Sequence, residues 1–328
     1  MTGWSITAMA TAAGAPSACI REARRLMSDT ATNQRLLRLA TYASFSVALI
    51  LVAAKAFAWW QSGSLALLSS LLDSGLDALA SLLNLLAVRT ALTPADHEHR
   101  FGHGKAEALA GLGQAALIGG SALFLVSEAV QKLRTPEPPE HSGIGIAVMV
   151  LSILLTLALV LFQRHVVRRT GSLAVTADRL HYVSDLLTNL TVIAALVLTS
   201  RPGFDWVDPA GALLVAMVIF KSAADIVRQA LDQLMDRELT DAERDSIRAT
   251  VLKHPEARAM HDLRTRNSGQ HIFIQFHLEL DPELTLRAAH RISEEIIAEL
   301  RQLFPGAEVI LRQDPAGVIE ERPPFAAS

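Results

Sequence analysis

LALLSSLLDSGLDALASLLNLLAV, residues 65–88, decides how the rest of the chain is read. Leucine and alanine dominate it, yet Asp73 and Asp77 stand in its middle, one helical turn apart. A helix of about 20 apolar residues spans the hydrocarbon core of a bilayer. An ionisable group at mid-membrane costs on the order of 2.5–3.5 kcal/mol by insertion scales. Residues four apart share one helix face, so the two carboxylates also repel each other. Such a placement needs a reason.

The surrounding chain makes hydrocarbon the natural setting. Of 328 residues, 51% are hydrophobic and 19% charged. Segments near 38–60, 64–90, 108–130, 143–165, 171–200 and 208–229 each reach spanning length. From Asp232 onward the composition turns to ordinary soluble sequence, rich in Arg, Glu and Asp. The expected organisation is a six-helix transmembrane α bundle over residues 35–231 and a small cytoplasmic α+β domain over 232–318. A disordered extension over 1–34 precedes them and a flexible tail over 319–328 follows. The extension lacks the long apolar core of a signal peptide.

Orientation follows from the basic residues of the short loops. Arg21, Arg24, Arg25, Arg35 and Arg38 precede the first span; Arg89, Arg100 and Lys105 follow the second; Arg164, Arg168 and Arg169 follow the fourth. The first loop, QSGS, has none, and the odd-numbered loops are poor in them. Both termini are therefore expected in the cytoplasm. Cys19 is the single cysteine, which excludes an intramolecular disulfide and any multi-cysteine metal site. No basic stripe interleaved with aromatics points to nucleic acid.

The fifth segment repeats the opening pattern. In TADRLHYVSDLLTNLTVIAAL, His181 and Asp185 again stand four apart. Four such groups would together cost roughly 10 kcal/mol in lipid, so they must face one another, face water or hold a cation. Polar pairs also serve helix packing, and Asn84 and Asn189, near the same stripes, read as packing or supporting groups. Asp73, Asp77, His181 and Asp185, however, make a tetrahedral donor set of three carboxylates and an imidazole, suited to Zn²⁺. A second cluster lies in PADHEHRFGHGKAEALAGL, where Asp96, His99 and His103 have compact metal-site spacing. His97 and Glu98 are alternates there or solvated. Phe101 stands where an H-E-x-x-H motif needs its second histidine, against a zinc protease.

DSGLD, PADHEHRFGHGKAE, HYVSD, HDLRTR, FIQFHLEL and RQDP together resemble the cation diffusion facilitators, from about Arg35 to Gly317. The likeness is to the bacterial zinc and ferrous-iron efflux proteins of that family. The resemblance implies a homodimeric antiporter of the bacterial inner membrane, with lipid around it and protons as counter-substrate. It implies Zn²⁺ as transported substrate and bound ion, with Cd²⁺, Fe²⁺ and Co²⁺ as further candidates. By position it makes Asp73, Asp77, His181 and Asp185 the transport site, and Asp96, His99 and His103 a loop site. It makes Lys105 and Asp236 a charge pair that interlocks the membrane and cytoplasmic domains. His261, His277 and Asp314 then form one metal position in the tail, and His290 with Asp314 belongs to a second. The pattern departs at Arg312, where relatives carry a histidine: arginine donates hydrogen bonds and offers no lone pair to a metal. Strand periodicity puts Arg312 beside Asp314, where its guanidinium would stand in for an ion.

The tail is also legible without that resemblance. Thr240 and Glu243 form a capping box ahead of a helix of about a dozen residues. In QHIFIQFHLEL, Ile272, Ile274, Phe276, Leu278 and Leu280 alternate with Gln275, His277 and Glu279, as a strand does. A helix near 284–303 and a strand in AEVILRQD complete an αββαβ order, which agrees with the ferredoxin-like domain of the resemblance. His271 is too far along the strand from His277 to replace a lost ligand, and His141, His165 and His254 have no partner pattern.

The ligands suggest a mechanism. Metal binds neutral imidazole and ionised carboxylate, so binding releases protons and acidity opposes it. A site loading near pH 7 and reopening to a more acidic exterior would exchange metal for protons, with His181 as the coupled ligand. A metallo-hydrolase would keep one zinc position open for water. A sensor without transport would have no reason to bury four ligands across two spans. The chain is read as a transporter, not an enzyme.

Overall fold

The computed structural model describes residues 17–318 apart from Ser64, 135–142, 199–206 and Gln270. Six long helices come first: α1 Ser17–Ser62, α2 Leu65–Ala91, α3 Ala106–Arg134, α4 Gly143–Thr170, α5 Leu173–Leu198 and α6 Val207–Leu234. Then follow α7 Asp241–Leu252, β1 Ala259–Ser268, β2 His271–Leu280, α8 Leu286–Leu303 and β3 Glu308–Pro315. Leu36–Arg237 with residues 268–270 makes one compact unit, and Glu238–Asn267 with the chain from His271 belongs to the other. Residues 17–34, expected to lack order, continue α1 toward its N-terminus; CIREARRLM is rich in good helix formers. Residues 1–16, the expected tail and His141 lie outside the described residues.

Among the described residues, five of the six long helices contain a stretch long and apolar enough to cross a membrane: Ala31–Ser62, Ser70–Ala91, Ala106–Gln131, Ala147–Thr170 and Ala210–Leu234. α5, which carries Asp178, Arg179, His181 and Asp185, falls outside that set. In α2 the usual amphipathic order is inverted. Leu72, Leu76, Leu79, Leu83 and Leu86 point outward, while Ser74, Ser81, Asn84 and Val88 are buried against the bundle. That suits a helix whose surroundings are as apolar as leucine and whose polar groups must find partners inside.

The packing of α3 on α6 is written in alanine. Ala108, Ala115 and Ala122 recur every seven residues on α3, as do Ala216, Ala223 and Ala230 on α6, and all are buried. They interleave with Ile118, Ile219 and Ile226, and small residues at such spacing let two backbones approach closely in a membrane. At Gly211, where α6 meets α5, a Cβ would lie 2.8 Å from the Thr191 methyl.

The second unit is an α+β domain. Its capping box is formed: the Thr240 side chain accepts from the Glu243 N–H, and Glu243 reaches back to the Thr240 N–H at 2.9 Å. The sheet order is β1-β2-β3, with β2 and β3 parallel and His277 opposite Arg312, Glu279 opposite Asp314. The short link between β1 and β2 permits only an antiparallel hairpin. Ile247 and Val251 of α7 and Ile292, Ile296 and Leu300 of α8 pack with Ile274, Phe276 and Leu278 into one core. Thr285 caps α8, which is why that helix starts at Leu286. The alternation in β2 leaves His277 and Glu279 on the face away from this core, only half-buried.

Candidate metal sites

In the membrane unit, α2 and α5 bring Asp77, His181 and Asp185 together, each offering a ligand atom within 4.8 Å of the others. His181 Nε2 lies 2.9 Å from Asp77 Oδ1 and 3.7 Å from Asp185 Oδ2, and its ring is nearly buried. The Tyr182 ring meets it edge-on at 5.5 Å between centroids. Asp73 lies one turn earlier on α2, exposed and outside this trio. Asn84 is buried and Asn189 half-buried.

The loop between α2 and α3 gathers Asp96, His99 and His103. Asp96 Oδ1 accepts from the backbone N–H of Glu98 at 2.9 Å and of His99 at 2.6 Å, closing an Asx turn. Those donors, His99 first, hold the Asp96 carboxyl below the usual carboxylate range. Gly102, at φ +79°, accommodates the reversal that returns His103 toward Asp96, its Nε2 3.4 Å from Asp96 Oδ2. The two imidazole rings lie 4.5 Å apart between centroids. His97 and Glu98 are exposed and outside the cluster.

Lys105 donates to Asp236 Oδ2 at 3.0 Å and to the Leu234 carbonyl at 3.2 Å. Leu234 ends α6, so the ammonium also satisfies a C-terminal carbonyl at the negative end of that helix. Asp236 takes a left-handed conformation, φ 55°, just past the helix end. Both residues belong to the membrane unit, and the pair ties the start of α3 to the end of α6.

In the second unit His261, His277 and Asp314 converge on the open face of the sheet. Asp314 is buried and divides its oxygens. Oδ2 lies 2.9 Å from His277 Nδ1 and 3.5 Å from His261 Nε2, while Oδ1 lies 3.0 Å from Arg312 Nε. The guanidinium thus takes the place beside Asp314 that the strand period assigns it. Oδ2 is buried without a hydrogen bond, and the donors around it suit a cation. Glu279 Oε1 sits 3.2 Å from His261 Nδ1, an ion-pair distance without hydrogen-bond geometry. His290 is not brought to this site. It follows buried Ala289 on α8 and is exposed, because the face of that helix toward the core is set by Ala289, Ile292, Ile296 and Leu300. His254, which had no partner pattern in the sequence, lies 3.1 Å from Glu295 Oε2.

One buried node had no local signal in the sequence. Asp178 accepts from Ser44 Oγ at 2.5 Å, from Gln163 Nε2 at 2.7 Å and from Gln114 Nε2 at 3.2 Å. It therefore joins α5 to α1, α4 and α3, one turn before His181. The Tyr182 hydroxyl extends the network, donating to the Ser44 carbonyl at 3.1 Å and lying 2.9 Å from Ser81 Oγ. Ser172 Oγ likewise donates to the buried Glu107 carboxylate at 3.0 Å.

A helical membrane unit, an α+β unit and three convergent clusters of carboxylate and imidazole are what the comparisons then place in context. The cation efflux transmembrane domain model matches residues 41–235, and the cation efflux protein cytoplasmic domain model matches residues 239–316. The chain belongs to the cation diffusion facilitator family and is an integral membrane protein. Among its relatives, the cation-efflux pump FieF of Shewanella oneidensis is 45% identical over 292 residues, 89% of this chain and 98% of that protein. The cation-efflux pump FieF of Serratia proteamaculans is 47% identical over 287 residues, 88% of this chain and 95% of that protein. The metal-bound C-terminal domain of the CzcD transporter from Thermotoga maritima is 24% identical, covering 25% of this chain and 100% of that domain at a TM-score of 0.24, too low to bear on the fold.

Proposed function

We propose that the chain is a divalent metal cation/proton antiporter that exports Zn²⁺ from the cytoplasm, with Cd²⁺, Fe²⁺ and Co²⁺ as further substrates. The observation that carries this reading is the convergence of Asp77, His181 and Asp185 from two helices inside the membrane unit. Carboxylate and imidazole together match a borderline divalent ion, and Asp73, one turn away, supplies a fourth donor when the site closes on its substrate. All six long helices span the bacterial inner membrane, with both termini in the cytoplasm.

Proton coupling follows from the same donors. Each ligand must give up its proton to bind, so the site takes up metal as it sheds protons and gives it back when it is protonated from the other side. The cytoplasmic domain, ferredoxin-like in its αββαβ order, pairs with that of a second copy. It holds one ion through His261, His277 and Asp314, with Glu279 beside His261 and Arg312 neutralising the other Asp314 oxygen. Asp96, His99 and His103 hold another at the cytoplasmic loop, and Lys105 with Asp236 fixes the end of the last span against it.

The test is Zn²⁺ flux into proteoliposomes carrying a zinc dye, with and without a pH gradient, beside Asp77→Ala. The proposal expects flux that rises with internal acidity and disappears in the variant. Zinc binding by the folded protein with no flux of any divalent ion would favour a sensor instead.

A further inference from the structure

Lys55 lies on α1 inside the apolar stretch Ala31–Ser62, where an ammonium is as costly as a carboxylate. It is half-buried, and its Nζ donates to Ser74 Oγ at 2.6 Å and to the Ser70 carbonyl at 3.2 Å. Ser70, Ser74, Asp77 and Ser81 recur at spacings of four and three and therefore share one face of α2. Lys55 is thus docked on the polar stripe that carries Asp77, one turn nearer the N-terminal end of α2. Asp77, Asp185 and Asp73 all act on it electrostatically, and it acts on Asp185 in return.

A lysine cannot ligate a metal while it carries its proton, since all its hydrogen-bonding capacity is as donor. Its influence on a bound ion is therefore repulsive, and on the carboxylates attractive. We propose that Lys55 is a tethered counter-cation, which competes with the transported ion for the carboxylates of Asp77 and Asp185 and so weakens binding enough for release toward the α1–α2 turn. A site of several carboxylates and an imidazole without such a charge would hold a divalent ion tightly and turn over slowly. This inference rests on reading Asp77, His181 and Asp185 as the transport site.

A unit charge acting across about 10 Å through an effective dielectric of about 20 shifts an equilibrium roughly tenfold, and a divalent ion feels twice that energy. The experiment measures the concentration dependence of Zn²⁺ flux in proteoliposomes for the full chain, Lys55→Met, Lys55→Arg and Asp77→Ala. Lys55→Met is expected to lower KM by about a hundredfold and to lower the maximal rate, because the ion is held longer. Lys55→Arg, which keeps the charge, is expected to stay near the parent in both. Lys55→Gln, which keeps a donor for Ser74 without charge, should behave as Lys55→Met and serves if that variant assembles poorly. An unchanged or raised KM in the uncharged variants, or Lys55→Arg behaving like them, overturns the counter-cation. Undiminished flux in Asp77→Ala would instead overturn the transport-site reading on which it rests.

Discussion

Replacing Asp178 by leucine removes an acceptor that three other helices use. The carboxylate receives Ser44 at 2.5 Å, Gln163 at 2.7 Å and Gln114 at 3.2 Å, and all four side chains are buried. Interhelical hydrogen bonds in membranes average about 0.6 kcal/mol and reach about 1.7, which brackets three of them at roughly 2–5 kcal/mol. Gln163 keeps Ser44 at 2.9 Å, so part of the node survives. A buried donor left without an acceptor costs about 1–3 kcal/mol, which places the expected loss in the middle of that range, about 3 kcal/mol. Asp178→Asn keeps the volume but turns one acceptor into a donor facing other donors, and should cost less than the leucine. The assay is unfolding in mixed micelles by denaturing detergent, followed by helical ellipticity. The expected order of midpoints is parent, then asparagine, then leucine. A leucine variant that unfolds at the parent midpoint would refute the claim that this node holds α1, α3, α4 and α5 together.

Two further predictions concern the loop and the cytoplasmic domain. Asp96 has its pKa depressed in the folded chain, so its contribution to the loop is present above the ordinary carboxylate range and lost as pH falls through the lowered value. Hydrogen-exchange protection of the Glu98 and His99 amides, corrected for intrinsic rates, should therefore stay level from pH 5 to 8 and collapse in Asp96→Ala; a decline beginning near pH 7 would contradict the sign of that shift. In the second unit, zinc at about 100 times its dissociation constant should stabilise the folded domain by about 2.7 kcal/mol. His261→Ala should abolish that gain, read by thermal unfolding, while flux survives; complete loss of flux would show that the cytoplasmic cluster belongs to the transport path.

What the sequence revealed and what it hid follow one physical rule. Asp77 with Asp73 and His181 with Asp185 were legible because each pair is local, four residues apart on one helix. The same holds for the loop cluster, and for Arg312 beside Asp314, which the strand period sets on one face. The α7 cap was readable for a like reason, its two partners being three residues apart. Asp178 was not, because Ser44, Gln114 and Gln163 each come from a different helix and none stands at a helical spacing from it. Lys55 was hidden in the same way: Ser70 and Ser74, which receive its ammonium, lie across the α1–α2 turn. His290 shows the converse, a histidine whose place is decided by the apolar period of its own helix. Asp73 shares the α2 pattern with Asp77, but which of the two meets His181 and Asp185 depends on how α2 and α5 pack, which neither helix's own spacing sets.

Diffraction at the zinc edge from crystals of the full chain grown with saturating Zn²⁺ tests the central claim most directly. The account predicts an anomalous peak between Asp77, His181 and Asp185, with nitrogen and oxygen ligands at about 2.0–2.2 Å. Peaks at the loop or in the cytoplasmic domain, with none between these three side chains, would contradict it.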